Sequence, residues 1–194
     1  MSTTDNHGKP RLWVMPFDRG SPPVQIPNVE GASPKFGAAD EIFFRHLDGR
    51  SVFIYGVHPD GTGLRKAFSA PVFLMISVSP DGRWIVASAP LGGNGPPSIQ
   101  VFPVNGGSPL QIGNFIHVSW SLDGRSVLMG PYLIALKPGE ALPLIPAGGF
   151  HSPDEVAHLA GALQIDAEVL GPSAGVYAFY KSTVQRNLYR IPIP

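Results

Sequence analysis

Val78-Ser79-Pro80-Asp81-Gly82-Arg83-Trp84-Ile85-Val86-Ala87 reads as a strand, a tight turn and a second strand. Gly accepts positive φ and Asp bonds its own backbone, so Asp81-Gly82 suits a β-hairpin. Pro80 presets φ at the entry and offers no N–H to a ladder. The flanks are β-branched and aromatic, which fits a pleated, half-buried surface. Two copies flank it. Downstream, Val118-Ser119-Trp120-Ser121-Leu122-Asp123-Gly124-Arg125-Ser126-Val127-Leu128 is close, and Trp120 offers a large apolar anchor. Upstream, Arg45-His46-Leu47-Asp48-Gly49-Arg50-Ser51-Val52-Phe53-Ile54 departs further and falls between different strands.

Outward from these hairpins the chain divides into short strands. Residues 1–10 are polar and terminal and are expected to be a disordered lead-in. Residues 11–31 read as the outer hairpin of a unit whose inner strands are missing. Four-stranded units are expected at about 32–70, 71–113 and 114–147, the last closing on a strand at 142–145. An irregular final unit spans 148–194. In it Ser152 and Glu155 form a capping-box pair, Pro153 sits at the first helical position, and Gly161 ends the helix. Residues 187–192 read as a final outer strand that echoes residues 11–16.

Outer turns near residues 19, 61, 106 and 139 give a spacing of roughly 40 residues, the mark of a β-propeller. A small sheet with two apolar faces cannot hide both alone, so such units stack. The fold class expected is all-β: a propeller of four-stranded antiparallel blades, about four of them, partial, with one short helix. If residues 11–26 complete the last blade, a small ring closes. Otherwise the chain is an open arc whose edges invite self-association.

Composition bounds the partners. The 194 residues carry 14 basic and 14 acidic side chains, so no cationic footprint for nucleic acid is visible. The 23 Gly and 22 Pro leave little room for long helices. Without Cys there is no disulfide and no thiolate metal site. The N-terminus lacks the apolar core of a signal peptide, and no run has the length of a membrane span. The expectation is a chain without membrane insertion, cytoplasmic by default.

Ser79-Pro80-Asp81-Gly82-Arg83 resembles the repeat signature of TolB-like, WD-repeat-like β-propellers. Trp120-Ser121-Leu122-Asp123-Gly124-Arg125 is similar, with Leu122 in place of Pro. The resemblance covers most of residues 11–194 and is specific for architecture. Residues 184–192 are similar to the C-terminal end of propeller domains in acidobacterial-type multidomain proteins. In some of those a propeller follows a Ser/Thr kinase or a winged-helix regulator. Neither motif is present here, so neither activity carries over. The resemblance implies a non-catalytic scaffold for a protein or small ligand within a larger sensory or regulatory protein. The alternatives it leaves are the accessory propeller of a prolyl-oligopeptidase-like hydrolase and the sensor domain of a receptor Ser/Thr kinase.

Candidate chemistry is sparse, and no catalytic, cofactor or metal residue is assigned. Gly171-Pro172-Ser173-Ala174-Gly175 matches a nucleophile elbow in letters, but a strand follows where the elbow needs a helix. His151 and His158 flank the short helix without metal-ligand spacing, and His58 belongs to a turn. Asp48, Asp81 and Asp123 read as turn acids from separate blades that do not converge. Gly92-Gly93-Asn94-Gly95 lacks the Lys and helix of a phosphate loop. Phe43, Phe44, Phe53, Tyr55, Phe73, Trp84 and Phe102 are expected in the inter-blade core, while Phe179, Tyr180 and Tyr189 fit core or rim. The loops at 92–97 and 148–175 are the candidate binding surfaces.

Overall fold

The computed structural model describes residues 1–18, 20–113, 117–165, 169–172 and 175–179. Five antiparallel sheets follow one another along the chain. Sheet I holds β1 (Ser2–Thr4), β2 (Pro10–Val14) and β3 (Val24–Glu30). Sheet II holds β4 (Ala32–Phe36), β5 (Ile42–Asp48), β6 (Ser51–Val57) and β7 (Arg65–Lys66). Sheet III holds β8 (Leu74–Val78), β9 (Trp84–Pro90), β10 (Pro97–Pro103) and β11 (Leu110–Gly113). Sheet IV begins with β12 (Val118–Trp120), β13 (Ser126–Met129) and β14 (Tyr132–Ala135). After helix α1 (Pro153–Ala157) it adds β15 (Leu163–Gln164). Sheet V is the pair β16 (Val169–Leu170) and β17 (Tyr177–Ala178).

Each sheet is a meander, so every strand pairs with its neighbour in sequence. The first strands β4, β8 and β12 lie side by side and the sheets fan outward from them. This is the radial stacking of a propeller, present as an arc that does not close among the described residues. The second strands start at Ile42, Trp84 and Ser126, a constant step of 42 residues.

Burial on both faces explains the apolar runs. On β5, Ile42 and Phe44 face sheet I while Phe43 faces sheet III. On β9, Ile85 and Ala87 face sheet II while Val86 faces sheet IV. Successive side chains point to opposite faces, so a strand between two neighbours has no polar side to spare. Each fully buried Ile or Phe of this kind contributes about 1.5–3 kcal/mol.

Several expectations are corrected. Residues 1–10 are not a disordered lead-in: β1 pairs with β2, with Ser2 opposite Leu12 and Thr4 opposite Pro10. Asp5 closes this hairpin by accepting from the N–H groups of His7 and Lys9, both at 2.9 Å. The hairpin at 11–31 is therefore the outer part of a three-stranded sheet. The fourth strand of sheet IV is not 142–145 but β15, which pairs Leu133 with Leu163. The boundary at 147/148 thus falls inside sheet IV, and the helix belongs to an insertion between its third and fourth strands.

That insertion is packed. Phe150 and Val156 are buried in the core between sheets III and IV, and the Phe150 N–H donates to the Ile112 carbonyl of β11 at 2.8 Å. Gly149 makes this possible: it has φ of +80°, and a Cβ there would meet the Ile112 carbonyl oxygen at 2.9 Å. The expected capping box does not form. Ser152 makes no side-chain cap bond, and Glu155 instead accepts from the His151 N–H at 2.9 Å. Phe73 is 52% exposed rather than core, because it lies just before β8, outside the sheet. Arg19 at the first outer turn, Tyr180, Tyr189 and the strand expected at 187–192 lie outside the described residues.

Candidate functional site

The two signature turns are built alike. At the first, the buried Ser79 hydroxyl donates to Asp81 Oδ1 and accepts from the Trp84 N–H at 2.9 Å. Asp81 Oδ1 accepts from the Arg83 N–H at 3.0 Å, and its Oδ2 accepts from Arg83 Nε at 2.6 Å. At the second, Ser121 donates to Asp123 Oδ1 at 2.6 Å and accepts from the Ser126 N–H at 3.0 Å. The Arg125 N–H donates to Asp123 Oδ1 at 3.0 Å. Gly82 and Gly124 take the positive φ that ends each turn, +68° and +67°. The aspartates are acceptors here, not bearers of positive φ. Both serines were passed over in the sequence, although each stands two residues before its Asp.

Asp48 lies elsewhere, at the end of β5, paired with Lys66 at 3.2 Å. Asp81 and Asp123 line one cavity of about 380 Å³ between sheets III and IV, together with Arg83, Trp120 and Glu140. Asp48 does not border that cavity, whereas Asp81 and Asp123 both do, each bonded within its own turn. Burial pushes the Asp81 carboxyl up, but the Ser79 hydroxyl and the Arg83 N–H and guanidinium outweigh it, and the group sits below the usual range. Asp123 is lowered chiefly by the Ser121 hydroxyl and then by the Arg125 N–H.

Trp120 forms the inner wall. It is 7% exposed, and its Nε1 donates to the Ala141 carbonyl at 2.6 Å, which fixes the start of the insertion. Glu140 and Ala141 also border a second cavity of about 630 Å³ beside Trp84, Leu110 and Leu144. The two form one groove, carboxylate-lined at the turns and apolar toward Leu144, which is 88% exposed.

Other sequence candidates are placed as follows. Ser173 and Ala174 of the elbow-like stretch lie outside the described residues. The flanking Gly171 N–H donates to the Val176 carbonyl at 2.7 Å, as in a hairpin, and strand β17 follows. His151 and His158 are exposed beside α1, and no cluster of three metal-binding side chains occurs among the described residues. Gly92 and Gly93 shape a short turn with φ of +60° and +89°.

No family model matches this chain, and no curated protein matches it. Solved structures do. TolB from Acinetobacter baumannii aligns with a TM-score of 0.53 and 16% identity over 72% of this chain and 35% of that one. A structure assigned as TolB from Agrobacterium tumefaciens aligns with a TM-score of 0.50 and 17% identity over 74% of this chain and 52% of that one. The chain thus spans about a third of one TolB chain and about half of the other. With its stacked four-stranded meanders and 42-residue step, it has a partial TolB-like propeller fold.

Proposed function

We propose that this chain is a non-catalytic propeller scaffold that binds a segment of a partner protein in the groove between sheets III and IV. The observation that carries the reading is the groove itself: two adjoining cavities of about 380 and 630 Å³, with fixed carboxylates at one end and exposed apolar side chains at the other. A rigid scaffold that presents loops is a common way to hold a partner. A role within a larger sensory or regulatory protein rests on the resemblance of residues 184–192. Self-association belongs to the same proposal, through β1, whose three residues are exposed at the edge of sheet I.

Selection of a displayed random-peptide library against the purified chain tests the groove. Selected peptides should lose binding to Leu144→Asp and keep binding to Phe17→Asp, which alters a fully exposed side chain in the β2–β3 turn of sheet I. Peptides indifferent to Leu144→Asp would remove the groove reading. Sedimentation over a wide concentration range tests the edge, and a monomer at every concentration would remove self-association.

A further inference from the structure

We propose that Asn105, in the turn between β10 and β11, is a self-modification site at which this chain deamidates through a cyclic imide, and that the fold protects the second Asn-Gly pair at Asn94. The proposal makes no use of the groove near Leu144, so either can fail without the other.

The chain holds two Asn-Gly pairs, Asn94-Gly95 and Asn105-Gly106, and all four residues are exposed. Asparagine is a thermolabile side chain. A glycine after it carries no Cβ, so the next backbone nitrogen is unshielded. As dipeptides the two sites are equivalent, and a difference in reactivity between them belongs to the fold.

The chemistry sets the geometric demand. The glycine nitrogen attacks the asparagine Cγ, and an N–Cγ bond forms as the Cγ–Nδ2 bond breaks. Ammonia leaves with the proton that the backbone amide gives up. Water then opens the imide at either carbonyl, which leaves an aspartate or an isoaspartate. The nitrogen must therefore be free of other bonds and able to swing toward the side chain.

Asn94-Gly95 is held off this path. The Gly95 N–H donates to the Leu91 carbonyl at 2.7 Å, and the Leu91 N–H donates to the Pro96 carbonyl at 3.0 Å, so the short loop is closed from both ends. Asn94 has ψ of 4°. At that angle the Gly95 nitrogen eclipses the Asn94 nitrogen and points away from the side chain. Space is short as well, since a Cβ built on Gly95 would collide with the Leu91 carbonyl oxygen.

Asn105-Gly106 lacks these restraints. The Gly106 N–H makes no hydrogen bond of ordinary geometry to a described residue. Gly106 has φ of +91°, and a Cβ built on it would meet nothing within 4 Å. The anchors lie outside the pair: the Val104 N–H donates to the Arg83 carbonyl at 2.9 Å, and the ladder resumes with Leu110 opposite Val101. The turn is fixed at its feet and open at its tip. Its product places a new carboxylate on a chain whose formal net charge is zero, so the modified form is separable by ion exchange.

Ageing the full chain in mildly alkaline buffer at physiological temperature, with each site read by tandem mass spectrometry, tests this. Asn105 should convert at least about tenfold faster than Asn94, the effect of having to release one hydrogen bond before reaction. In denaturing urea the two rates should come within about threefold of each other, because the restraint on Gly95 is gone. Asn105→Gln, at an exposed turn position, should remove most of the acidic species that accumulates, whereas Asn94→Gln should leave it. Four results overturn the proposal: Asn94 converting as fast as Asn105 in the folded chain, a contrast that persists unchanged in urea, an acidic species undiminished in Asn105→Gln, or no conversion at Asn105 in the folded chain while the unfolded chain converts.

Discussion

At Ser121–Gly124 a hydroxyl, a carboxylate and a glycine hold the turn from β12 to β13, whereas the turn from β4 to β5 has Gly37, Ala39 and Asp40 at the corresponding positions. There the Glu41 N–H donates to the Ala38 carbonyl at 3.0 Å around Ala39 and Asp40, with φ of +52° and +59°. Positive φ at both central residues is the mirror-image hairpin turn, which favours Asn-Gly. All four non-glycine residues at positive φ among the described residues, Asn28, Ser33, Ala39 and Asp40, lie in this first region. The residue before the turn differs in the same sense: Trp120 is 7% exposed and Phe36 is 65% exposed. Topological rank alone therefore does not set local chemistry. The turns of sheets III and IV are built from repeated side chains, whereas sheets I and II add strained backbone and ion pairs to the apolar core they share.

The largest effect should come from the residue before the turn. Trp120→Ala should lower unfolding free energy in urea by about 3–5 kcal/mol, while Phe36→Ala should stay within about 0.5 kcal/mol. Equal losses would erase the contrast. Ser121→Ala leaves the Ser126 N–H and Asp123 without the buried hydroxyl, and should cost about 1–3 kcal/mol by the same measurement. No loss there would mean that the glycine and backbone suffice, as at Ala39. Conversely, Ala39→Asn with Asp40→Gly should raise stability by about 1 kcal/mol, because it relieves positive φ at both positions. A destabilised double variant would show that this backbone is not strained.

The smallest effect concerns acid. Asp5 is held at about 2 rather than 3.8, chiefly by the Lys9 N–H, with the His7 N–H and Arg11 helping to outweigh the opposing burial. A carboxylate whose folded value is depressed stabilises fully above its unfolded value and loses that contribution as pH falls toward the folded one. The window therefore runs from 3.8 down to about 2. Asp5→Asn should flatten the unfolding midpoint across that window. An identical acid profile in the variant would detach Asp5 from the stability of sheet I.

The hairpin at Asp81, its copy at Asp123 and the apolar runs after them were legible because turn chemistry and side-chain alternation are local. They are enough to indicate stacked β-units, and Trp120 as an anchor. The first-blade turn was not legible: residues 37–41 lack Ser and Gly where the copies have them, so Asp48-Gly49 drew attention instead. The fourth strand of sheet IV was misplaced because residues 142–145 are apolar and near at hand. Only three dimensions show β15 returning after a packed insertion.

By itself, then, the order of residues determined that short strands meander and bury both faces, since each hairpin is decided by neighbours in sequence. The tertiary structure alone decided which turn acids share a cavity and that Phe150 seals the junction at β11. Those outcomes depend on where separate sheets meet, and the contacts across such a junction join residues that no local pattern links.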